Sequence, residues 1–236
     1  VLGLPDDIRA CLFDLDGVLT QTAKLHAAAW KRMFDEYLKA RADACGGEFV
    51  PFDARDDYDE FVDGLPRLDG VRSFLRSRGI TEDEQTVARL GDRKNALVQD
   101  IIREQGVDAY DSSLRYVEAA RDAGLKLAVV SSSANAKEVL RSIGILDRFD
   151  DVVDGHAVAE GGLKGKPAPD TFLEGARRLG VEPAHAAVFE DALAGVQAGR
   201  AGGFGCVVGV DRVGQSAELK DHGASVVVQD LGELLP

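Results

Sequence analysis

With 236 residues, 45% of them hydrophobic and 29% charged, the chain carries enough apolar material for one large core or a core with an insertion. A formal net charge of −13 argues against nucleic acid or an anionic membrane as partner, since both call for basic surface; a small anion held by a local cluster of cations stays possible. No apolar run approaches the roughly 20 residues of a membrane span, and no cleavable leader pattern opens the chain. A cytoplasmic protein is therefore expected, with Cys11, Cys45 and Cys206 reduced and unbridged.

In chain order, the first element is an apolar run from Ile8 to Phe13, broken by Arg9, which predicts a buried strand. It ends in Asp14-Leu15-Asp16-Gly17, two carboxylates two residues apart and then a glycine that lets the backbone turn. From about Lys24 to Glu104 the spacing is helical and no strand pattern occurs. Leu25, Ala28, Ala29, Met33, Tyr37 and Leu38 make one amphipathic face, and Val71, Phe74 and Leu75 make another, stopped by Gly79. Thr81-Glu82-Asp83-Glu84 has capping-box spacing and predicts a third helix running towards Ile101 and Ile102. The stretch from Cys45 to Asp59 reads as irregular. Beyond it, helical segments at 111–123, 135–144, 169–180 and 191–202 alternate with apolar runs at 125–130, 186–189, 204–210 and 225–228.

Strands alternating with helices predict an α/β fold, a Rossmann-like parallel sheet core with helices on both faces. Roughly eighty helical residues are too many for a loop. The expected division is a core of residues 1–22 and 105–236 with an all-helical cap domain of residues 23–104 inserted after the acidic pair. Ligands of such sheets bind beyond the carboxyl ends of the strands.

Four polar motifs fall at those ends. Asp14 and Asp16 repel each other at short range, and a divalent cation is the simplest way to offset the repulsion; the plain alternative is a surface turn with two solvated acids. Ser131-Ser132-Ser133 offers hydroxyls and amides at the start of a helix, either as an anion site or as an N-cap with spare serines. In Lys166-Pro167-Ala168-Pro169 the prolines fix the backbone, so Lys166 is either a point charge over a phosphate or a solvated residue before a helix. Glu190-Asp191 again follows a strand, with Asp191 a ligand or simply a helix cap. No Gly-x-Gly-x-x-Gly follows the first strand, which ranks nicotinamide binding low.

The set Asp14-x-Asp16-Gly17-Val18, Ser131-Ser132, Lys166-Pro167 and Glu190-Asp191 resembles the four motifs of the haloacid dehalogenase superfamily, and the likeness covers almost the whole chain. Within that superfamily, residues 13–31, including Thr22, His26 and the pair Trp30-Lys31, are similar to the β-phosphoglucomutase branch, as is Lys166-Pro167-Ala168-Pro169-Asp170. The resemblance implies a phosphotransferase with Asp14 as nucleophile and Asp16 as general acid and base. It implies Mg²⁺ held by Asp14, the Asp16 backbone carbonyl and Asp191, with Glu190 as ligand or close neighbour. Ser131, Ser132 and Lys166 would hold phosphoryl oxygens.

The same resemblance places Thr22, His26, Arg67 and Asn135 towards a phosphorylated sugar, with Arg67 as a two-pronged grip on its far phosphate. A surface role for Arg67 and a packing role for His26 are the alternatives. Two departures stand out: Ala134 lies where that branch commonly has a lysine, and Asp63 and Leu65 flank Gly64 where a basic residue is expected. They leave hydrolysis of a sugar or polyol phosphate as the rival to mutase activity, and a non-catalytic sugar-phosphate sensor as a more distant one. A monomer is expected.

Overall fold

The computed structural model describes residues 2–236. The chain opens with β1 (Ala10–Phe13) and then forms α1 (Ala23–Cys45), α2 (Asp56–Phe61), α3 (Arg67–Ser77) and α4 (Glu84–Gln105). It continues through α5 (Asp111–Asp122), β2 (Lys126–Val130), α6 (Ala136–Ser142), β3 (Asp151–Val153), α7 (Gly155–Gly161) and α8 (Asp170–Leu179). The last elements are β4 (Ala186–Glu190), α9 (Leu193–Ala201), β5 (Cys206–Val210), α10 (Ser216–His222) and β6 (Val226–Val228). Two compact units result: one made of residues up to Gln21 with Val107–Pro236, and one of Thr22–Gly106.

The first unit holds the sheet, in the order β3-β2-β1-β4-β5-β6, every pair parallel. Strands of a parallel sheet are covered on both faces and therefore read as unbroken apolar runs; β1 and β4 are buried at every residue. On one face Phe13 stacks on Phe189, ring centroids 4.5 Å apart, with Tyr116 against both rings. On the other, Leu12, Val130 and Phe172 share a core, and α8 approaches so closely that a Cβ at Gly175 would lie 2.8 Å from Leu12 Cδ2. From β1 the order runs to β2 and β3 on one side and to β4, β5 and β6 on the other. The crevice where the order reverses therefore lies beside β1 and β4, where such sheets bind ligands.

The second unit is helical. Trp30, Phe34, Phe52 and Phe74 form a ring cluster with centroids 4.2–5.3 Å apart, and Met33, Val71, Leu90 and Leu97 close the core around them. No helix of the described residues is long and apolar enough to cross a membrane. Cys11 and Cys206 are buried and Cys45 is exposed, all three as free thiols.

Several elements differ from the sequence reading. The Thr81 capping box does not form: α4 starts at Glu84, and the Asp83 carboxylate directly before it accepts the Thr86 amide at 2.7 Å. Glu84 pairs instead with Arg72, its Oε2 2.5 Å from Nη2. The short acid N-cap adjacent to the first turn satisfies an orphan N–H that Thr81 is too far back to reach. Part of the stretch read as irregular is helix α2. β3 escapes a pattern search because it has three residues, one of them acidic, and pairs with β2 alone at the sheet edge.

Candidate active site

The register of the sheet builds the site. Phe13 pairs with Val129 on one side and Phe189 on the other, so Asp14, Val130 and Glu190 come next in line at one end of the sheet. The Asp14 amide continues the ladder by donating to Phe189 O at 2.9 Å. Gly17 then turns the chain at φ +82°, and a Cβ there would overlap the carboxylate of Asp191. A Cβ at Gly195 on α9 would likewise overlap Glu190 Oε1. Both acids thus occupy space that only a glycine leaves open.

Lys166 joins these elements. Its Nζ donates to Asp14 Oδ1 and to Glu190 Oε1, each at 2.5 Å, and to Val130 O at 3.3 Å, and it lies 4.9 Å from the centre of the Phe172 ring. Asp14, Lys166 and Glu190 are all buried, so the solvated-lysine alternative does not hold. Glu190 Oε2 accepts the Ala192 amide at 3.0 Å. Asp191 does not cap α9, whose N-cap is Ala192 without a side-chain bond. Asp14, Glu190 and Asp191 each offer a carboxylate oxygen within 4.8 Å of one another.

The electrostatics follow from burial. Desolvation pushes the Asp14 carboxyl well up, Glu190 and Asp16 push the same way, and Lys166 offsets only part of this. Burial alone would lower Lys166, but the carboxylates of Asp14 and Glu190 outweigh it and hold the ammonium above its ordinary value. Three acidic side chains face one ammonium, so the acids outnumber the cation that offsets them. Oxygen donors with that imbalance fit a hard divalent cation.

Ser131 is buried beside this cluster; its amide donates to Val153 O at 2.9 Å and its Oγ accepts the Ser133 amide at 3.1 Å. A hydroxyl that accepts keeps its own proton to donate. Ser132 is half-buried. Asn135 is buried directly before α6, its amide donating to Ser133 Oγ at 3.2 Å, and its side chain makes no cap bond. Asp16 is half-buried and bridges Thr20 through its backbone; its carboxylate stands outside the three-acid group.

The remaining expected residues belong to the helical unit. Thr22 is buried directly before α1 and does not cap it. Arg67 is the first residue of α3; its Nη2 lies 3.3 Å from Asp92 Oδ1, and its buried Nε has no hydrogen-bond partner. His26 Nδ1 accepts from Lys94 Nζ at 2.8 Å, and Lys94, itself buried, sits 4.8 Å from the Trp30 ring centre. Lys94 went unmarked in the sequence reading. The signal was available: it falls on the buried stripe Val87, Leu90, Lys94, Leu97 and Val98 of α4, where a charge is out of place.

Comparison with known proteins gives a consistent result. A family model described as haloacid dehalogenase-like hydrolase matches residues 8–203. The chain is 56% identical to a β-phosphoglucomutase of Mycobacterium bovis over 100% of its own length and 94% of that protein's. It is 34% identical to a β-phosphoglucomutase of Bacillus subtilis, covering 96% of this chain and 92% of the relative. A crystal structure of β-phosphoglucomutase from Clostridium difficile superposes with a TM-score of 0.79 at 28% identity, covering 96% of this chain and 93% of that one.

Proposed function

The chain belongs to the haloacid dehalogenase-like hydrolase family, and from that membership we propose that it is a Mg²⁺-dependent phosphotransferase interconverting β-glucose 1-phosphate and glucose 6-phosphate. The observation that carries the reading is the strand-end cluster, in which one buried lysine binds Asp14 and Glu190 while Asp14, Glu190 and Asp191 offer oxygens to a common point.

In this reading an Asp14 carboxylate oxygen attacks the phosphorus in line, forming the aspartyl phosphate as the bond to the sugar oxygen breaks. Asp16 gives its proton to that departing oxygen. In the return step Asp16 takes the proton from the acceptor hydroxyl, whose oxygen receives the phosphoryl group and frees Asp14. Lys166 and the hydroxyls of Ser131 and Ser132 hold the phosphoryl oxygens, preorganised because the lysine and Ser131 are already fixed by buried partners. Asp14, Asp191, the Asp16 carbonyl and Glu190 would hold Mg²⁺. When bound, the ion supplies the positive charge that both the acid cluster and the transferring group call for. Thr22, His26, Arg67 and Asn135 are assigned to recognition of the rest of the sugar phosphate, with Lys94 added as the partner of His26.

The test is a panel of phosphorylated sugars followed by phosphorus NMR, with and without a catalytic sugar bisphosphate. Conversion of β-glucose 1-phosphate to glucose 6-phosphate, faster with the bisphosphate, supports the reading. Steady release of inorganic phosphate as the main product would replace it with a sugar-phosphate phosphatase.

A further inference from the structure

The turn that carries Asp16 is gripped at three successive carbonyls by donors outside it. Gly17 O accepts from Arg212 Nε at 2.7 Å, Val18 O from Ser113 Oγ at 2.7 Å, and Leu19 O from the Tyr110 amide at 3.0 Å. Among these donors Arg212 stands apart, because the loop that bears it also holds the other acid-bearing turn. Three residues further on, Gln215 Nε2 donates to the backbone carbonyl of Asp191 at 3.0 Å.

That loop, between β5 and α10, is itself stiff. Asp211 Oδ1 accepts the amides of Val213, Gly214 and Gln215 at 3.2, 2.6 and 2.8 Å, and Oδ2 accepts the Ser216 hydroxyl. The Asp211 amide donates to Val228 O at 2.8 Å, tying the loop to the end of β6. The Arg212 guanidinium is held by further groups as well, although its buried Nη2 has no hydrogen-bond partner. Nη1 donates to Gln229 O at 2.9 Å and lies 3.7 Å from Asp230 Oδ2, and Cζ sits 3.6 Å from the centre of the Tyr110 ring. A planar, multiply bonded guanidinium has almost no freedom left, so the carbonyl it holds is fixed too.

We propose that the loop 211–215 is a splint across the two acid-bearing turns: Arg212 and Gln215 are positioning residues that set the spacing between the Asp14–Asp16 turn and Asp191. They touch neither substrate nor ion. Both bonds end on backbone carbonyls, one directly after Asp16 and one of Asp191 itself, so a shift in the loop changes how the two sides converge. A cation that needs oxygens at about 2.0–2.1 Å tolerates little such shift. The inference rests on the Mg²⁺ assignment above and deepens it.

The experiment compares Arg212→Gln, Arg212→Lys, Gln215→Ala and Asp14→Asn by calorimetric titration with Mg²⁺ alone, by kcat and KM on β-glucose 1-phosphate, and by thermal unfolding without metal. Arg212→Gln and Gln215→Ala are each expected to weaken Mg²⁺ binding and lower kcat by about tenfold, with KM within about twofold, the usual size for groups that orient metal ligands. Arg212→Lys should recover part of both losses, since one donor to Gly17 O returns. Unchanged Mg²⁺ affinity and kcat in both variants would overturn the splint, as would losses that only follow the unfolded fraction at the assay temperature. Full turnover by Asp14→Asn would remove the nucleophile assignment, while the calorimetry would still decide the roles of Arg212 and Gln215.

Discussion

At the strand ends one buried ammonium is held by two carboxylates at 2.5 Å, whereas in the helical unit the Arg67 guanidinium reaches an exposed Asp92 at 3.3 Å. In the first arrangement Lys166, Asp14 and Glu190 are desolvated and joined through the lysine before any ligand arrives, and Gly195 leaves the space that Glu190 fills. The second is only partly committed, with a buried Nε of Arg67 lacking any acceptor. Chemistry needs groups fixed before the reaction begins, because reorganising charge in a low-dielectric site is costly. Recognition tolerates groups that change partners when a ligand arrives. Under the proposed function, the contrast fits transfer at the strand ends and discrimination in the helical unit.

This contrast can be broken at several points. The strongest is metal removal: chelation should abolish turnover and lower the unfolding temperature without unfolding the protein, since a bound ion stabilises only the folded state. Retained turnover in excess chelator would separate the acid cluster from the reaction. Next is Lys166→Met, which strands Asp14 and Glu190 without their cation and should cost about 3–5 kcal/mol in urea unfolding, together with nearly all activity. A loss below about 1 kcal/mol would show the pair to be solvated after all.

In the helical unit the effects should be smaller and of another kind. Arg67→Ala should raise KM about tenfold or more and change kcat less, as expected when a charge-assisted bond to a phosphate is lost. An equal fall in kcat with KM unchanged would move Arg67 from recognition to transfer. Smallest of all is Asp83→Ala, which removes the cap of α4 and should lower the urea midpoint slightly while leaving turnover intact. The Thr86 amide holds Asp83 below the ordinary carboxylate range. The stabilisation is therefore fully present above that range and disappears as pH falls through the depressed value. The variant should lose this part of the acid dependence.

How much of this was visible beforehand divides along similar lines. Asp14 and Glu190 were readable because each follows an apolar run, and a parallel sheet delivers the ends of such runs to one side; Lys166 was readable from the prolines after it, but it follows no strand and lies between α7 and α8. What the sequence did not reveal was that Lys166 would bond both acids, since that depends on how α8 packs on the sheet. Lys94 was missed although it interrupts a buried stripe with correct helical spacing. Arg212 and Gln215 had no such signal at all: their contacts join loops some 195 and 24 residues apart in the chain, and no local period encodes them. The Thr81 capping box failed because spacing alone cannot decide where the first turn begins.

The most direct measurement is to quench the enzyme in acid during turnover of β-glucose 1-phosphate and locate the phosphoryl group by peptide mass spectrometry. One added phosphoryl group is expected on Asp14, absent from Asp14→Asn, which should also lose activity by about three orders of magnitude or more. A phosphoryl group on any other residue, or full turnover in the asparagine variant, would contradict it.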